Sequence, residues 1–393
     1  MHPVEIADGI HWVGVLDPQL RIFDVIMRAE QGTTYNAYLV QGRDKTALID
    51  TSKGRFTDTF LETLGRVVDP ARIDYVVLNH LEPDHSGALG ALLEAAPRVR
   101  VVVTKPGSVF LRQILNRDVD PMVVTDGQEI DLGGKTLRFL VAPFLHWPDT
   151  MFTYAVEDQV LFPCDFLGAH YCDDRLFNDL VDNYEYAFRY YFHVIMRPFK
   201  EHVRKGLEKI QDLPLRAVCP SHGPILRTRI GEYLEKYRRW AAEPDKGPAK
   251  RLLVFYASSY GNTEKMARAI AAGARQAGAD VALFDLVGVD FEAVLDDLEA
   301  ADGVAVGSCT INGDALEHAW LLLASMATVR VKGKLGAAFG SYGWSGEGPK
   351  MLAERMRGLR FRVPEDPLRV QLVPSDEDLA ACEDYGRRLA EAL

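Results

Sequence analysis

The stretch Asn79-His80-Leu81-Glu82-Pro83-Asp84-His85-Ser86-Gly87 decides how the first half of this chain folds. It places two imidazoles and two carboxylates within six positions, from His80 to His85. The preceding run, residues 73–78, is apolar and β-branched, which predicts a buried strand. Pro83 stiffens the turn after it, and Gly87 opens an Ala/Leu-rich helix. Because open α/β sheets build their sites at the carboxyl ends of strands, four ligand-type side chains in this turn indicate a metal site.

Three further ligand-type residues follow short apolar runs later in the sequence. His146 follows a strand predicted over 136–142, Asp165 follows one over 159–162, and His222 follows one over 217–219. A single His or Asp in such a place is usually structural. Three in succession repeat the arrangement at His80–His85, so we expect these side chains to join the same site.

The spacing His80-x-Glu82-x-Asp84-His85 resembles the His-x-His-x-Asp-His signature of the metallo-β-lactamase superfamily, with Glu82 in place of the second imidazole. Carboxylate oxygens are harder ligands than imidazole, so this change moves the expected metal from zinc towards iron. The same departure is the pattern of the flavodiiron proteins. That family also carries a His-Trp-Pro-Asp stretch, an Asp after the following strand and a Ser-His-Gly-Pro loop. This chain has them at 146–149, 165 and 221–224.

The resemblance implies a non-haem diiron centre whose ligands carry over position by position. One iron would be bound by His80, Glu82 and His146. The other would be bound by Asp84, His85 and His222, and Asp165 would bridge the two. Three carboxylates and one bridging hydroxide balance the charge of two ferrous ions. Such a neutral cluster can be buried without a large desolvation cost.

The resemblance also implies residues around the irons. His170 is predicted to hydrogen-bond a ligand carboxylate. Tyr190 and Tyr191 match a segment of the family that places a tyrosine near the diiron pocket. An amphipathic helix face with buried aromatic side chains explains these residues equally well.

A second set of motifs begins after a charged, Pro- and Gly-containing stretch at 243–250. A strand predicted over 252–256 turns into Ala257-Ser258-Ser259-Tyr260-Gly261-Asn262-Thr263-Glu264, and a helix is predicted over 265–277. Such a turn holds a phosphate with backbone N–H groups, hydroxyls and the helix dipole. A P-loop nucleotidase would need Gly-Lys-Ser/Thr, which this turn does not have. The turn resembles the phosphate loop of flavodoxins, which bind flavin mononucleotide (FMN).

Two more loops follow predicted strands in the same half of the chain. Strand 303–306 runs into 307–314, and strand 335–339 runs into 340–347. They resemble the flavodoxin loops that flank the isoalloxazine ring, since their glycines allow close backbone approach and Trp344 offers a stacking face. The FMN contacts implied by the resemblance are Ser258, Ser259, Tyr260, Gly261, Asn262, Thr263, Ser308, Thr310, Ile311, Asn312, Gly313, Ser341, Tyr342, Gly343, Trp344, Ser345 and Gly346.

The composition limits the classes of function. A net charge of −11, with no Lys/Arg-rich run, argues against a nucleic-acid partner. No apolar stretch reaches the roughly 18–20 residues of a membrane helix, and no signal peptide is recognised, so we expect a cytoplasmic protein without a membrane partner. The five cysteines form no Cys-x-x-Cys pair, which argues against a rubredoxin-type or iron–sulfur module in this chain.

A chain of 393 residues is expected to form two domains. We predict an α/β protein in which residues 1–243 form an αββα metallo-β-lactamase-like sandwich and 244–250 form a linker. Residues 251–393 are predicted to form a five-stranded parallel, doubly wound flavodoxin-like domain. Residues 181–211 and 228–242 have helical patterns. The αββα assignment rests on the resemblance, because periodicity alone does not separate it from other layered α/β folds.

The resemblance implies a reductase of dioxygen to water, of nitric oxide to nitrous oxide, or of both. Two ferrous ions and one reduced flavin supply the four electrons that a dioxygen molecule needs, whereas two nitric oxide molecules need two. An external donor is implied: a rubredoxin, a reduced deazaflavin or a flavin reductase. A head-to-tail homodimer, or a dimer of such dimers, is expected to bring the flavin of one subunit beside the irons of the other.

Two alternatives stay open at the level of sequence. One is a zinc hydrolase of the metallo-β-lactamase type with an appended flavodoxin domain, against which Glu82 argues. The other is a non-catalytic electron carrier whose metal domain is only structural. The metal that the protein binds and its consumption of either gas separate these alternatives from a flavodiiron reductase.

Overall fold

The computed structural model describes residues 2–244 and 247–393. The chain forms two compact units, Met1–Ala242 and Glu243–Leu393. Asp245 and Lys246, which belong to the predicted linker, lie outside the described residues.

The described residues of the first unit form short strands and seven α-helices. The strands are β1 Val4–Ala7, β2 Ile10–Trp12, β3 Val15–Asp17, β4 Ile22–Phe23, β5 Met27–Arg28, β6 Thr33–Tyr35, β7 Tyr38–Gln41, β8 Thr46–Ile49, β9 Tyr75–Val77, β10 Arg100–Val103, β11 Met122–Val123, β12 Glu129–Asp131, β13 Thr136–Val141, β14 Met151–Ala155, β15 Val160–Phe162 and β16 Ala217–Val218. The helices are α1 Thr57–Gly65, α2 Pro83–Ser86, α3 Leu89–Ala95, α4 Lys105–Leu115, α5 Glu185–Tyr191, α6 Lys200–Ile210 and α7 Ile230–Ala241.

Two sheets of this unit pack face to face. Within the described residues, the first has the order β1-β2-β7-β8-β9-β10-β11 and the second the order β12-β13-β14-β15-β16. Side chains of strand β8 alternate between two cores. Ala47 and Ile49 face the core between the two sheets, and Leu48 faces the core between the first sheet and its covering helices. Helices α1, α3 and α4 cover one outer face, and α5, α6 and α7 cover the other. The αββα prediction is therefore confirmed.

Asn79 joins the two sheets at the edge where the quoted stretch leaves β9. Its backbone carbonyl accepts from Met151 N–H at 2.8 Å, and its amide Nδ2 donates to the Phe162 carbonyl at 3.1 Å. The Thr153 hydroxyl donates to Asn79 Oδ1 at 2.7 Å. This residue therefore fixes the end of β9 against β14 and β15, and with it the start of the ligand-bearing segment.

The local structure differs from the predictions in two places. Asp84 and His85 lie in the one-turn helix α2 rather than in a turn, because Pro83 occupies the first helical position, where its missing N–H costs nothing. The helix predicted over 181–211 is interrupted: α5 runs into a π-helical segment, Phe192–Met196, and a 3₁₀ turn before α6. Pro198 lies in that turn and cannot continue the α-helical hydrogen bonds.

The second unit contains a five-stranded, doubly wound sheet with helices on both faces, and a small two-stranded sheet. Its strands are β17 Arg251–Ala257, β18 Asp280–Asp285, β19 Gly303–Ser308, β20 Thr310–Ile311, β21 Asp314–Ala315, β22 Leu335–Tyr342 and β23 Leu368–Gln371. Its helices are α8 Asn262–Gln276, α9 Phe291–Ala300, α10 Glu317–Ser325, α11 Gly348–Gly358 and α12 Asp376–Ala392. Five strands are parallel in the order β18-β17-β19-β22-β23, as predicted for a flavodoxin-like fold. Helices α8 and α12 cover one face, and α9, α10 and α11 cover the other.

Two sequence-based exclusions can be compared with the structure. In the ranges 2–244 and 247–393, no helix combines the length and the apolar character needed to cross a bilayer. All five cysteines are free thiols. The five cysteines therefore form no disulfide bond.

Helices α8 and α12 approach each other closely through glycines. A Cβ at Gly386 would lie 2.0 Å from the carbonyl oxygen of Ile270, and one at Gly273 would lie 1.8 Å from that of Glu383. Since α8 starts in the predicted phosphate loop, this contact sets the position of the loop.

We expect Gly386→Ala to lower the free energy of unfolding of the second unit by about 1–3 kcal/mol, because the added methyl group overpacks the helix contact. Denaturant unfolding followed by circular dichroism measures the change. Gly358→Ala in α11 is the matched control, since no atom lies within 4 Å of its added Cβ. Equal stability of the two variants would contradict the close contact.

Candidate metal centre and flavin loops

The structure brings all seven predicted metal ligands together at one edge of the first unit. Their ligand atoms form two groups, within each of which the atoms lie no more than 4.8 Å apart. The groups are His80, Glu82, His146 and Asp165, and then Asp84, His85 and His222. A third group that meets the same distance limit combines Cys164 with His80, His85 and Asp165. The cluster is a buried pocket of nitrogen and oxygen donors, a set that can hold a transition metal such as iron.

Asp165 lies between the two groups and turns one carboxylate oxygen to each. Its Oδ2 is 2.8 Å from His80 Nε2 and 3.5 Å from His146 Nε2. Its Oδ1 is 3.3 Å from His85 Nε2 and 3.4 Å from His222 Nε2. A carboxylate placed in this way is suited to bridge two cations.

The two groups differ in their access to solvent. In the first, Glu82 Oε2 is 3.1 Å from His146 Nε2, and these side chains are 16% and 17% exposed. In the second, Asp84 Oδ2 is 3.0 Å from His222 Nε2, and these side chains are 4% and 2% exposed. Solvent therefore reaches the centre from the Glu82 side.

Hydrogen bonds from outside the cluster orient two of the imidazoles. His222 Nδ1–H donates to the carbonyl of Thr34 at 2.6 Å, which leaves Nε2 for the centre. The Glu82 N–H donates to His80 Nδ1 at 2.9 Å and turns that ring so that Nε2 faces Asp165. The role of Thr34 was not predicted, since a backbone carbonyl carries no signal in the sequence.

The electrostatics of the cluster favour cations. Burial raises the pKa of Asp165, but the charge of His85 and hydrogen bonds from His146 and His80 hold that pKa well below its usual range. Burial lowers the pKa of His85, but the carboxylates of Asp84 and Asp165 raise it well above its usual range. The acidic groups thus stay ionised in a buried place, where positive charge must neutralise them.

Orphaned polar atoms provide a separate test of whether the residues fit a metal. Asp84 Oδ1 and His85 Nε2 are buried 3.3 Å apart, and neither makes a hydrogen bond to any described residue. A buried polar atom without a partner costs about 1–3 kcal/mol. Coordination to a metal satisfies such atoms directly, so the donor set fits a metal centre.

Buried polar residues that the sequence analysis did not select support the ligand segment. Asp50 Oδ1 accepts from the Asn79 N–H, and Asp149 Oδ2 accepts from the Leu81 N–H, each at 2.8 Å. Burial raises the pKa of Asp50 to about 6, against the lowering effect of His85. Asp50 directly follows strand β8, as the ligands follow theirs, so its position after an apolar run was a signal available in the sequence, whereas Asp149 precedes β14 and had no such signal.

The residues predicted around the irons lie in three different environments. Burial, and then the charge of Asp165, raise the pKa of Tyr191 well above its usual range, so the phenol stays protonated. Tyr190 faces away from the cluster, since its hydroxyl accepts from the Arg28 N–H at 3.4 Å and its ring stacks on Tyr186.

His170 does not hydrogen-bond a ligand carboxylate, contrary to the prediction. Its Nδ1 lies 2.8 Å from the Thr33 hydroxyl, and its ring centroid lies 5.0 Å from that of His222. Burial, and then the charge of His222, lower the pKa of His170 well below its usual range, so the ring stays neutral. With Tyr190 and Tyr191 it lines a cavity of about 20 Å³, room for roughly one water molecule.

The hairpin formed by β4 and β5 covers the cluster and was not predicted to contribute. Phe23 is buried and stacks on His170 with 4.1 Å between the ring centroids, and its centroid lies 5.4 Å from that of His222 in an edge-to-face arrangement. Burial, and then the charges of Glu82 and Asp84, raise the pKa of Asp24, the next residue. Strands of two residues leave no period in the sequence, which explains why the hairpin was missed.

The three predicted flavin loops follow neighbouring strands of the second sheet. They leave the carboxyl ends of β17, β19 and β22, and the chain reverses its direction of winding between β17 and β19. The Ser259 hydroxyl lies 3.4 Å from the Cys309 thiol, and the Thr263 hydroxyl lies 2.9 Å from that of Ser341. These bonds join the three loops into one surface at the switch point of the sheet.

The residues present in these loops fit FMN. Helix α8 begins at Asn262 without a side-chain cap, so the N–H groups of its first turn remain for a ligand. Ser258 Oγ is buried and has no hydrogen-bond partner among the described residues. Tyr260 and Trp344 are 91% and 82% exposed, which leaves their rings open for a planar ligand.

Several hydroxyls predicted to contact FMN serve the loops themselves. Ser308 is fully buried, and its hydroxyl accepts from Leu316 N–H and donates to the Cys309 carbonyl. Asn312 and Gly313, both with positive φ, form the two-residue turn between β20 and β21, a type of hairpin that the Asn-Gly pair favours. The other predicted contacts on the three loops are Ser259, Gly261, Thr310, Ile311, Tyr342, Gly343, Ser345 and Gly346.

The chain resembles known proteins over its whole length. Residues 33–223 match the family described as ODP family beta lactamase, and residues 254–386 match the flavodoxin family. The type A flavoprotein fprA of Rhodobacter capsulatus is 47% identical over 100% of this chain and 92% of its own length. The flavo-diiron protein FprA2 of Clostridium acetobutylicum is 41% identical over 100% of both chains, and a nitric oxide reductase of Moorella thermoacetica is 39% identical over 100% and 99%. The solved structure of rubredoxin oxygen:oxidoreductase from the anaerobe Desulfovibrio gigas has a TM-score of 0.74 and 33% identity, covering 100% of this chain and 98% of that one.

We expect Asp165→Ala to lose both irons and to keep its FMN, because Asp165 contacts both ligand groups while the flavin loops belong to the other unit. His85→Ala, which removes a ligand from the sealed group, is also expected to lose iron and keep FMN. Iron analysis and flavin absorbance of the purified proteins measure the two contents.

Asp131→Asn, which changes an exposed carboxylate of β12, is the matched control and should keep both cofactors. Loss of flavin with retention of iron in either ligand variant would contradict the assignment of the cofactors to separate units.

Proposed function

This chain belongs to the flavodiiron family of type A flavoproteins, and we propose that it reduces dioxygen to water, nitric oxide to nitrous oxide, or both. Its cofactors are a non-haem diiron centre and FMN. The observation that carries the proposal is the position of Asp165, whose two oxygens face two separate groups of buried imidazoles and carboxylates.

The proposed ligand set follows the two groups of the cluster. His80, Glu82 and His146 would hold one iron, Asp84, His85 and His222 the other, and Asp165 would bridge them. When bound, the irons would supply a binding site and electrons for the gas, and FMN would supply the electrons that restore them. The fold holds these ligand side chains in a pocket that is closed to solvent on the Asp84 side, which limits the entry of water.

Tyr191 and His170 are proposed to act beside the centre rather than as ligands. The Tyr191 phenol stays protonated beside Asp165, so it would offer an O–H group to the bridging carboxylate. His170 stays neutral and packs between Phe23 and Tyr191, which keeps the His222 ring in place. Tyr190, whose hydroxyl accepts from the Arg28 N–H, is proposed to close the cavity next to His170.

A zinc hydrolase remains the alternative that metal analysis tests. Hard carboxylates fill three of the seven ligand positions, which favours iron over zinc. The related protein of Moorella thermoacetica is named a nitric oxide reductase, and that of Desulfovibrio gigas is named for oxygen. The two gases are therefore both proposed as substrates, and parallel rates with one reductant rank them.

The electrons are proposed to come from an external donor. The five cysteines are separate free thiols, so the chain itself offers no iron–sulfur cluster motif to relay electrons. A rubredoxin, a reduced deazaflavin or a flavin reductase would supply them, and each can be tested with the same gas-consumption assay.

We expect the reconstituted protein with a competent donor to consume dioxygen or nitric oxide continuously, and the same protein without FMN to consume gas for a single turnover. The reason is that, in this family, FMN is the redox cofactor that accompanies the irons and restores their electrons. A gas electrode records both traces. Sustained turnover by flavin-free protein with a natural protein donor would refute this role of FMN, and no gas consumption by the complete protein would refute the proposed function.

A head-to-tail homodimer, or a dimer of such dimers, is proposed as the working assembly. Each unit exposes large apolar side chains beside its own site: Val25 and Ile26 on the hairpin of the first, and Tyr260 and Trp344 on the loops of the second. Burial of such residues stabilises association. Two-fold symmetry would place the loops of one subunit against the hairpin of its partner twice.

Mixed dimers test this arrangement. We expect a flavin-dead variant, Ser258→Asp with Asn262→Asp, and the metal-dead variant His85→Ala each to be inactive alone. The two carboxylates would repel the FMN phosphate in the first variant. Heterodimers verified by mass spectrometry are expected to regain up to half of the wild-type activity, through one intact pair of cofactors across the interface. Verified heterodimers with no activity would refute the cross-subunit arrangement.

A further inference from the structure

Glu347 ends the flavin loop that follows β22, and it was not among the predicted FMN contacts. Its side chain is half-buried, and the carboxylate oxygen Oε2 is buried without a hydrogen-bond partner among the described residues. Such an oxygen has lost its water and has gained no donor in exchange, which is unfavourable. This end of the loop therefore lacks one hydrogen-bond donor.

The start of α11 does not supply the missing donor. Glu347 is the N-cap residue of this helix, where a side-chain oxygen commonly accepts from an N–H of the first turn, but its side chain makes no such bond. The Gly348 N–H donates to the Thr310 hydroxyl at 3.2 Å, and Pro349 has no N–H. The next two N–H groups both donate to the backbone carbonyl of Glu347, at 2.9 and 3.1 Å. The first turn is therefore satisfied without the Glu347 carboxylate.

Glu347 belongs to the loops proposed to flank the flavin ring. Its neighbour Gly348 lies so close to the loop after β19 that an added Cβ would be 3.0 Å from Thr310 Oγ1. In the same loop as Glu347, the Trp344 ring is 82% exposed and open to a planar ligand. The unpartnered Ser258 hydroxyl, by contrast, belongs to the phosphate loop after β17. The two buried polar atoms that lack partners in these loops are thus divided between the ring loops and the phosphate loop.

The chemistry of FMN is divided in the same way. Its phosphate carries negative charge and accepts hydrogen bonds, so it suits a hydroxyl and is repelled by a carboxylate. Its oxidised ring has a single N–H group, at N3 of the imide. A carboxylate accepts a strong, charge-assisted hydrogen bond from such a group. The ring imide therefore offers the donor that this end of the loop lacks.

We propose that the Glu347 carboxylate accepts a hydrogen bond from the ring imide N–H of bound FMN and lowers the reduction potential of the flavin. The inference rests on the proposed function, since it adds a binding residue to the FMN site. Reduction makes the ring richer in electrons, and a carboxylate beside the ring opposes that gain. Glu347 thus favours a flavin that passes its electrons on to the irons.

The first test removes the charge and keeps the shape. The full chain is stripped of flavin and reconstituted with FMN. We expect Glu347→Gln to bind oxidised FMN about threefold more weakly, since a neutral acceptor remains, and to hold it at a more positive reduction potential. Flavin fluorescence gives the Kd, and anaerobic titration against reference dyes gives the potential. A merely structural role would weaken the binding of oxidised and reduced FMN equally and leave the potential unchanged.

The second test changes the flavin at the proposed partner atom. 3-Methyl-FMN has no imide N–H, so the wild type is expected to bind it about tenfold more weakly than FMN. Glu347→Ala is expected to bind the two flavins about equally well, because it has neither the carboxylate nor its bulk. Equal discrimination by the two proteins would overturn the proposal, since the imide would then meet a different residue.

Glu354→Gln is the matched control, since it removes the same charge from an exposed position of α11. It should match the wild type in Kd and in potential. A wild-type potential in Glu347→Gln would overturn the proposal, as would an equal shift in Glu354→Gln. Failure of the wild-type protein to bind FMN would instead refute the proposed function, so the two failures are distinguishable. The iron content of each variant reports that the first unit has folded.

Discussion

The charge balance around Asp165 is the constraint on which the first unit depends. Its carboxylate is buried with the carboxylate of Asp84, and four imidazoles surround it at 2.8–3.5 Å. Ionised acids in such a place are costly unless positive charge neutralises them. The pocket is therefore stable only if its histidines are charged or if cations replace their protons. Metal binding and the stability of this edge of the fold are for this reason coupled.

The sandwich supplies the geometry that this balance requires. Strands β9, β13, β15 and β16 belong to two different sheets, yet the residues that follow them meet at one edge. Asn79 fixes the end of β9 to the second sheet, and Asp50 and Asp149 hold the backbone on either side of the ligand segment. Each ligand thus comes from the end of a rigid strand, and its direction is set by hydrogen bonds that reach beyond the cluster.

The sequence predicted the parts of the structure that depend on local pattern. Strand ends and the ligand-type residues directly after them follow from apolar runs, and the structure places those residues in one pocket. The sandwich and the assignment of the seven ligands to two irons came from the family resemblance. What was missed depends on contacts between distant segments. The Thr34 carbonyl that holds His222 has no side-chain signal, and the hairpin that carries Phe23 is built of strands too short to show a period. The helix predicted over 181–211 is interrupted by the π-helical segment Phe192–Met196 and by the 3₁₀ turn that contains Pro198. The prediction gave the helical periodicity of the neighbouring residues more weight than the proline.

In the loops of the second unit, side chains and backbone have different roles. The hydroxyls of Thr263, Ser308 and Ser341 are all engaged within the loops, so they shape the surface rather than extend from it. Ser258 Oγ and the uncapped start of α8 then remain for a phosphate. A hydroxyl-rich sequence therefore overstates the number of side chains that meet the ligand. Part of its composition shapes the loops, and the backbone N–H groups at the uncapped start of α8 are suited to bind a phosphate.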